Sequence, residues 1–131
     1  MDNSVRVWDV RNGECLAVLS GHDSLVGLIN SSGDRILSAS SDGWVNIWNA
    51  TSNKLQHTLR HSSAVVCLAN DDSRVFTASG GAVRMWDIRS GAAVWESWVG
   101  DQVWQIVWQQ GILIVASRRN NASMFDLYDF R

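Results

Sequence analysis

"SVRVWDVRNG" (residues 4–13) and "AVRMWDIRSG" (residues 82–91) are two versions of one phrase, with Trp8 matched by Trp86, Asp9 by Asp87 and Gly13 by Gly91. A looser version, "WVNIWNATSN", fills residues 44–53 and has Trp48-Asn49 where the others have Trp-Asp. The three tryptophans stand 40 and 38 residues apart. His22 and His61 are 39 apart, as are Arg35 and Arg74, which open the matching stretches "RILSAS" and "RVFTAS". A period of this length marks a stack of supersecondary units, none of which buries its apolar face alone.

The period alone does not separate helical from strand repeats, but the local pattern does. Val5 and Val7 alternate with Arg6 and Trp8, Val45 and Ile47 with Asn46 and Trp48, and Val83 and Met85 with Arg84 and Trp86. Alternation in twos among β-branched and aromatic residues reads as strand. The runs are broken by "RNGE", "SSGD", "SDG", "DDS", "SGG" and "RSGA", all turn compositions. No segment sustains an apolar face at helical spacing. One repeat then reads as strand a ("LVGLIN"), strand b ("RILSAS"), strand c ending in Trp-Asp, and strand d ("KLQHTL").

With these residues in place, the chain resembles the WD40-repeat proteins over essentially its whole length. The family pattern is a Gly-His, then about 25 residues on a Trp-Asp, with an Asp in the turn before strand c. The second repeat carries Gly21-His22, Asp42 and Trp48-Asn49; the third carries Arg60-His61 and Trp86-Asp87, with Gly81 where the Asp belongs. By counting, the fourth puts Gly100 in place of His, Asn120 in place of Asp, and Tyr128-Asp129 in place of Trp-Asp.

The resulting expectation is an all-β chain: a WD40 β-propeller fragment of about three blades, each a four-stranded antiparallel sheet, with the ring not closed. Residues 1–20 supply strands c and d of a first blade, 21–60 a second blade, 61–98 a third, and 99–131 strands a to c of a last blade. Propellers close with four to eight blades, so the remaining strands are expected from a longer protein or, failing that, from an oligomer. Unpaired strand edges at both ends predict association.

Hydrophobic residues make up 46%, charged residues 18%, and the net charge is −2, which is ordinary for a globular chain and gives no charge basis for nucleic-acid binding. The first ten residues contain Asp2, Arg6 and Asp9 and no apolar core of a signal peptide, and no stretch is long and apolar enough to span a membrane. The expected location is intracellular, cytoplasmic or nuclear. Cys15 and Cys67 fall in expected strands without metal-ligand spacing and read as buried, reduced thiols. The glycosylation sequons at Asn30, Asn49 and Asn121 read as chance in a chain that is not secreted. No cofactor or metal is implied. Four of the eight tryptophans crowd "VWESWVGDQVWQIVW", which reads as packing between blades. Trp44, directly after a turn, is the candidate for an exposed aromatic platform.

His22, Ser38 and Asp42 contain the residue types of a hydrolase, the remotest of the functional alternatives. That chemistry needs a Ser hydroxyl on an imidazole oriented by a carboxylate, beside a cleft with an oxyanion hole, and the sequence has no nucleophile elbow. The family resemblance implies a structural role instead: a buried hydrogen-bond chain of His22, Ser38, Asp42 and Trp48, repeated as His61, Thr77 and Trp86. The third repeat, without the Asp, is expected to be the looser, with His61 turned toward water or backbone.

Function is then expected on the rim around the propeller axis. Counting in steps of 39 groups Gly27, Val66 and Gln105 early in strand a, and Ser41, Gly80 and Arg119 before the b–c turn. Only the last blade offers a polar set there: Gln105 and Arg119, with Arg118 beside them. A narrower resemblance attaches to that blade. "DQVWQIVW" and "VASRRNNASMFDLYDF" resemble the closing blade of the F-box/WD-repeat substrate receptors of SCF-type ubiquitin ligases, the cell-division-control type. This implies a (phospho)peptide on the rim, read by Arg119 through guanidinium–phosphate pairing, with Gln105, Arg118, Trp44 and Ser41 as further contacts. Other ligase subunits would join through sequence absent here. The alternative is a WD40 scaffold in another multiprotein complex. Both make the partner a protein, with neither nucleic acid nor membrane.

Overall fold

The computed structural model describes residues 2–131. The described residues form strands joined by turns, with no helix. A first two-stranded sheet pairs β1 (Ser4–Trp8) with β2 (Cys15–Ser20). The second has the order β3 (Val26–Ser32), β4 (Arg35–Ser40), β5 (Trp44–Asn49), β6 (Leu55–Arg60). The third repeats it with β7 (Cys67–Asn70), β8 (Arg74–Ser79), β9 (Ala82–Asp87) and β10 (Ala93–Trp98). The last is three-stranded: β11 (Gln102–Gln109), β12 (Ile112–Arg119) and β13 (Ala122–Asp129). Every pairing is antiparallel between sequence neighbours, so the alternation of the sequence becomes the two faces of each sheet.

The repeated phrase builds the turn between the third and fourth strands of a repeat. The side chains of Asp9, Asn49 and Asp87 accept the backbone N–H of Arg11, Thr51 and Arg89, and their carbonyls accept the N–H of Gly13, Asn53 and Gly91. The last three residues have φ of 75°, 59° and 71°, a region open to glycine and tolerated by asparagine. A β-bulge follows the same rhythm, falling between Val7 and Trp8, between Ile47 and Trp48, and between Met85 and Trp86. Asp129 accepts the N–H of Arg131 in the same way, which identifies Tyr128 as the fourth occupant of the Trp position.

The sheets follow one another like slices, with β7 between β3 and β11, and each interface is an apolar cluster drawn from two successive sheets. Val5 and Leu19 pack with Trp48; Leu37, Val45, Ile47 and Leu59 pack with Trp86 and Val75. The third interface is the aromatic one: Trp95 meets Tyr128 edge-on at 5.1 Å between ring centroids, and Phe76 lies 4.5 Å from Trp108. The arc is open, since Trp8 on the first sheet and Phe125 and Leu127 on the last are exposed. Among the described residues, no helix is long and apolar enough to cross a membrane.

Two sequence expectations need correction. Of the crowded tryptophans, Trp95 and Trp108 pack between sheets while Trp98 and Trp104 are exposed. Cys67 is buried, which pushes its thiol up to about 11, but Cys15 is exposed because the first sheet has nothing over that face.

Candidate functional site

Inside the second sheet, His22 Nε2 lies 2.7 Å from Ser38 Oγ, and Trp48 Nε1 donates to the same oxygen at 2.9 Å. The third sheet repeats this with Thr77: His61 Nε2 bonds its hydroxyl and Trp86 Nε1 donates to it at 2.8 Å. All six side chains are buried. Contrary to expectation, His61 stays in its chain instead of turning away; its ring and the Thr77 hydroxyl are both buried, and parting them would leave a buried polar group one hydrogen bond short. Asp42 is not hydrogen-bonded into the second chain. Its Oδ1 accepts the N–H of Trp44 at 3.0 Å, while its Oδ2 and His22 Nδ1 are both buried without partners. Its charge still acts on the ring, opposing the fall in the His22 pKa that burial causes. For Ser38 the consequence is chemical: a fully buried hydroxyl, engaged by an imidazole and an indole, has no room for a substrate carbonyl.

Burial, reinforced by the nearby Arg84 charge, drops His61 from 6.5 to about 4. A depressed histidine is neutral in the folded chain and takes up a proton on unfolding, so its contribution is complete above pH 6.5 and declines as the pH falls toward 4. We expect the urea midpoint to drop between pH 7.5 and pH 5, by roughly 1–2 kcal/mol in stability. His61→Gln should flatten the profile; identical midpoints at the two pH values would contradict the buried neutral ring.

The last sheet is built differently, and the fixed 39-residue count misses it. The turn between β8 and β9 is Gly80-Gly81, one residue shorter than Ser41-Asp42-Gly43 between β4 and β5. Gly81 therefore takes the place of Gly43, not of Asp42: its carbonyl accepts the N–H of Val99 as that of Gly43 accepts the N–H of His61. Val99, not Gly100, is thus the counterpart of the histidines. Strand register then sets Val115 opposite Asp126 as Ser38 is opposite Asn46, which makes it the counterpart of Ser38 and Thr77. The polar chain has become Val99, Val115 and Tyr128, with both valines fully buried. Replacing both partners of a hydrogen bond with apolar groups is nearly neutral, whereas replacing one is costly.

The same slip moves the rim positions. Val103 pairs with Ser117 as Val26 pairs with Ser40, and a bulge follows each, so Trp104 occupies the place of Gly27, and Gln105 that of Leu28 and Cys67. Trp104 is exposed. It was hidden from sequence reasoning by one residue of turn length. Along strand b, Arg118 corresponds to Ser41 and Gly80, and Arg119 to Asp42.

Beyond Ser117 the last hairpin runs on for two more pairs, Arg118 with Ser123 and Arg119 with Ala122. It closes on Asn120 and Asn121, both with positive φ, the requirement of a two-residue hairpin turn. Arg119 does not extend into solvent. Its Nε donates to the Val99 carbonyl at 2.8 Å, and its Nη2 donates to the same carbonyl and to Asp126 at 3.2 Å. Arg118 is exposed, and Gln102 is its partner across the ladder. The structure therefore gathers Gln105, Trp104, Arg118 and Arg119 at the end of one sheet. Trp44 and Ser41 belong to the second sheet. The Arg60 guanidinium covers the Trp44 ring at 4.6 Å, and Ser41 is bonded to Ser24 at 2.8 Å.

Repeated radial sheets with a tryptophan-to-hydroxyl bond in each complete one define a class of repeat proteins, and comparison agrees. The family model for the WD domain, G-beta repeat, matches residues 13–49 and 53–87, and the chain belongs to that family of WD40 interaction modules. The chain is 28% identical to Regulator of rDNA transcription protein 13 of Saccharomyces cerevisiae, over 99% of this chain and 83% of that one. It is 26% identical to Cell division control protein 4 of the same yeast, over 99% of this chain but 20% of the relative. It is 37% identical to the F-box/WD repeat-containing protein sel-10 of Caenorhabditis elegans, over 72% of this chain and 17% of the relative. The crystal structure of the computationally designed Ika4 protein superposes with a TM-score of 0.89 at 22% identity, over 99% of this chain and 81% of that one, a likeness of fold.

Proposed function

We propose that the chain is a protein-binding module that holds a peptide segment of its partner at the rim of the last blade. The observation that carries this is the exposed set there: Trp104 on the innermost strand, Gln105 beside it, and Arg118 at the root of the lengthened hairpin. An exposed indole next to a free guanidinium offers stacking area and a bidentate donor together. With Arg119 tied to Val99 and Asp126, Arg118 is the group available to a phosphate and Arg119 braces the hairpin. Likeness to the F-box/WD repeat relatives supports a phosphopeptide as the ligand, in the manner of a ubiquitin-ligase substrate receptor acting inside the cell.

A second reading, a scaffold in a complex of another kind, is favoured by coverage: the chain spans most of the rDNA-transcription relative but about a fifth of the other two. Fluorescence anisotropy with a peptide library carrying a fixed phosphothreonine, against its unphosphorylated twin, separates them. Under the first reading Arg118→Ala weakens the phosphorylated set about tenfold, or about 1.4 kcal/mol, and spares the twin. Equal affinity for both sets favours the scaffold. Binding unaffected by Trp104→Ala would sink the rim assignment itself.

A further inference from the structure

We propose that the first and last sheets of this chain bind each other between copies, so that it assembles head to tail with a second copy of itself. Each internal joint has one design. The residue at the Trp position of one sheet packs on two apolar residues of strand c in the sheet before it. Those two stand three and one places ahead of that earlier sheet's own Trp position. Trp86 shares a buried cluster with Val45 and Ile47, and Tyr128 packs against the cluster that contains Val83 and Met85. Trp48 is clustered with Val5 and Val7 in the same way.

On the last sheet the corresponding pair is Phe125 and Leu127. Val45, Ile47 and Val83 are 0% exposed, yet Phe125 is 70% and Leu127 67% exposed. At the other end Trp8 is 53% exposed, against 3% for Trp48 and 7% for Trp86. The head thus presents the tryptophan half of a joint and the tail the apolar-pair half. A groove of about 440 Å³ flanks the open edge of β1, with Trp8, Val7 and Ile29 in its wall.

The occupant follows from this match. The surface that fits Phe125 and Leu127 is the kind already seated three times within the chain, and a second copy carries it as Trp8. Such a contact is heterologous, so it either closes or propagates. Two copies bring eight sheets, within the range that closes a propeller, and the contact takes Trp8, Phe125 and Leu127, all exposed in the single chain, out of water. The proposal is independent of the peptide-binding reading.

Sedimentation velocity of the 131-residue chain over a range of micromolar concentrations tests it. The expected species has twice the 14.6 kDa mass of one chain. Trp8→Lys and Leu127→Lys should each raise the dissociation constant at least tenfold while leaving the strand signal in circular dichroism unchanged; Phe125→Asp serves as a second tail variant. Mixing the Trp8 and Leu127 variants should restore a dimer, because one keeps an intact tail and the other an intact head. A wild-type chain that stays monomeric overturns the proposal, as do a dimer indifferent to all three substitutions and a failure of the mixed variants to pair. If the chain lies within a longer polypeptide whose further blades cover these faces, that polypeptide sediments as a monomer, and this too overturns it.

Discussion

Gly81→Ala should separate the third blade from the last, with a loss of about 3 kcal/mol or more. A Cβ at Gly81 would lie 1.9 Å from the Gly100 carbonyl oxygen and 2.9 Å from the Trp98 ring. The first of these is backbone, which cannot swing aside. The approach is close because two inter-blade hydrogen bonds draw the chains together, Val99 N–H to the Gly81 carbonyl at 2.9 Å and Val103 N–H to the Gly80 carbonyl at 2.7 Å. Gly81→Asp, which follows the family pattern on paper, should do no better, since the added carboxylate meets the same carbonyl before it can reach His61. Thermal unfolding is the measurement, and a drop of about 10 °C or more is expected. An alanine variant melting with the wild type would mean that this joint is not packed as described.

Trp48→Ala carries the second large effect, about 3–5 kcal/mol, against under about 1 kcal/mol for Trp8→Ala. The residues occupy the same place in the repeat and differ only in surroundings. Trp48 is buried against Val5 and Leu19, and its N–H satisfies Ser38. Its loss opens a cavity at a joint and leaves the Ser38–His22 pair with a missing donor. Trp8 faces solvent. Urea unfolding of the two variants, at concentrations low enough to keep the chain monomeric, would decide the matter, and equal midpoints would contradict the assignment of blade faces.

What could be read in advance follows from which features are local. The Trp-Asp phrase encodes its own turn through an Asp side chain and a left-handed Gly or Asn five residues after the Trp, so strands, order and all-β class were visible at once. The His–hydroxyl–Trp chains were legible through the family resemblance, which implied them, and Ser38 and Thr77 stand 39 residues apart as a repeated role requires. Where Val99 and Val115 replace them, an apolar residue in an apolar run carries no mark, and counting placed Gly100 there instead. The shortened Gly80-Gly81 turn shifted everything after it by one, which hid Trp104 behind Gln105. That Arg119 would fold back on Val99 depended on a carbonyl twenty residues earlier, beyond the reach of spacing.

The valine pair at the heart of the last blade also bears on how such a repeat can diversify. Directional bonds between an imidazole, a hydroxyl and an indole demand fixed positions, and a loop inserted between the strands that carry them risks pulling the donors out of line. Methyl groups against an aromatic ring make no such demand. Freed from that constraint, this blade accommodates the extended Arg118–Ser123 hairpin while Val99 and Val115 keep its interior fully buried.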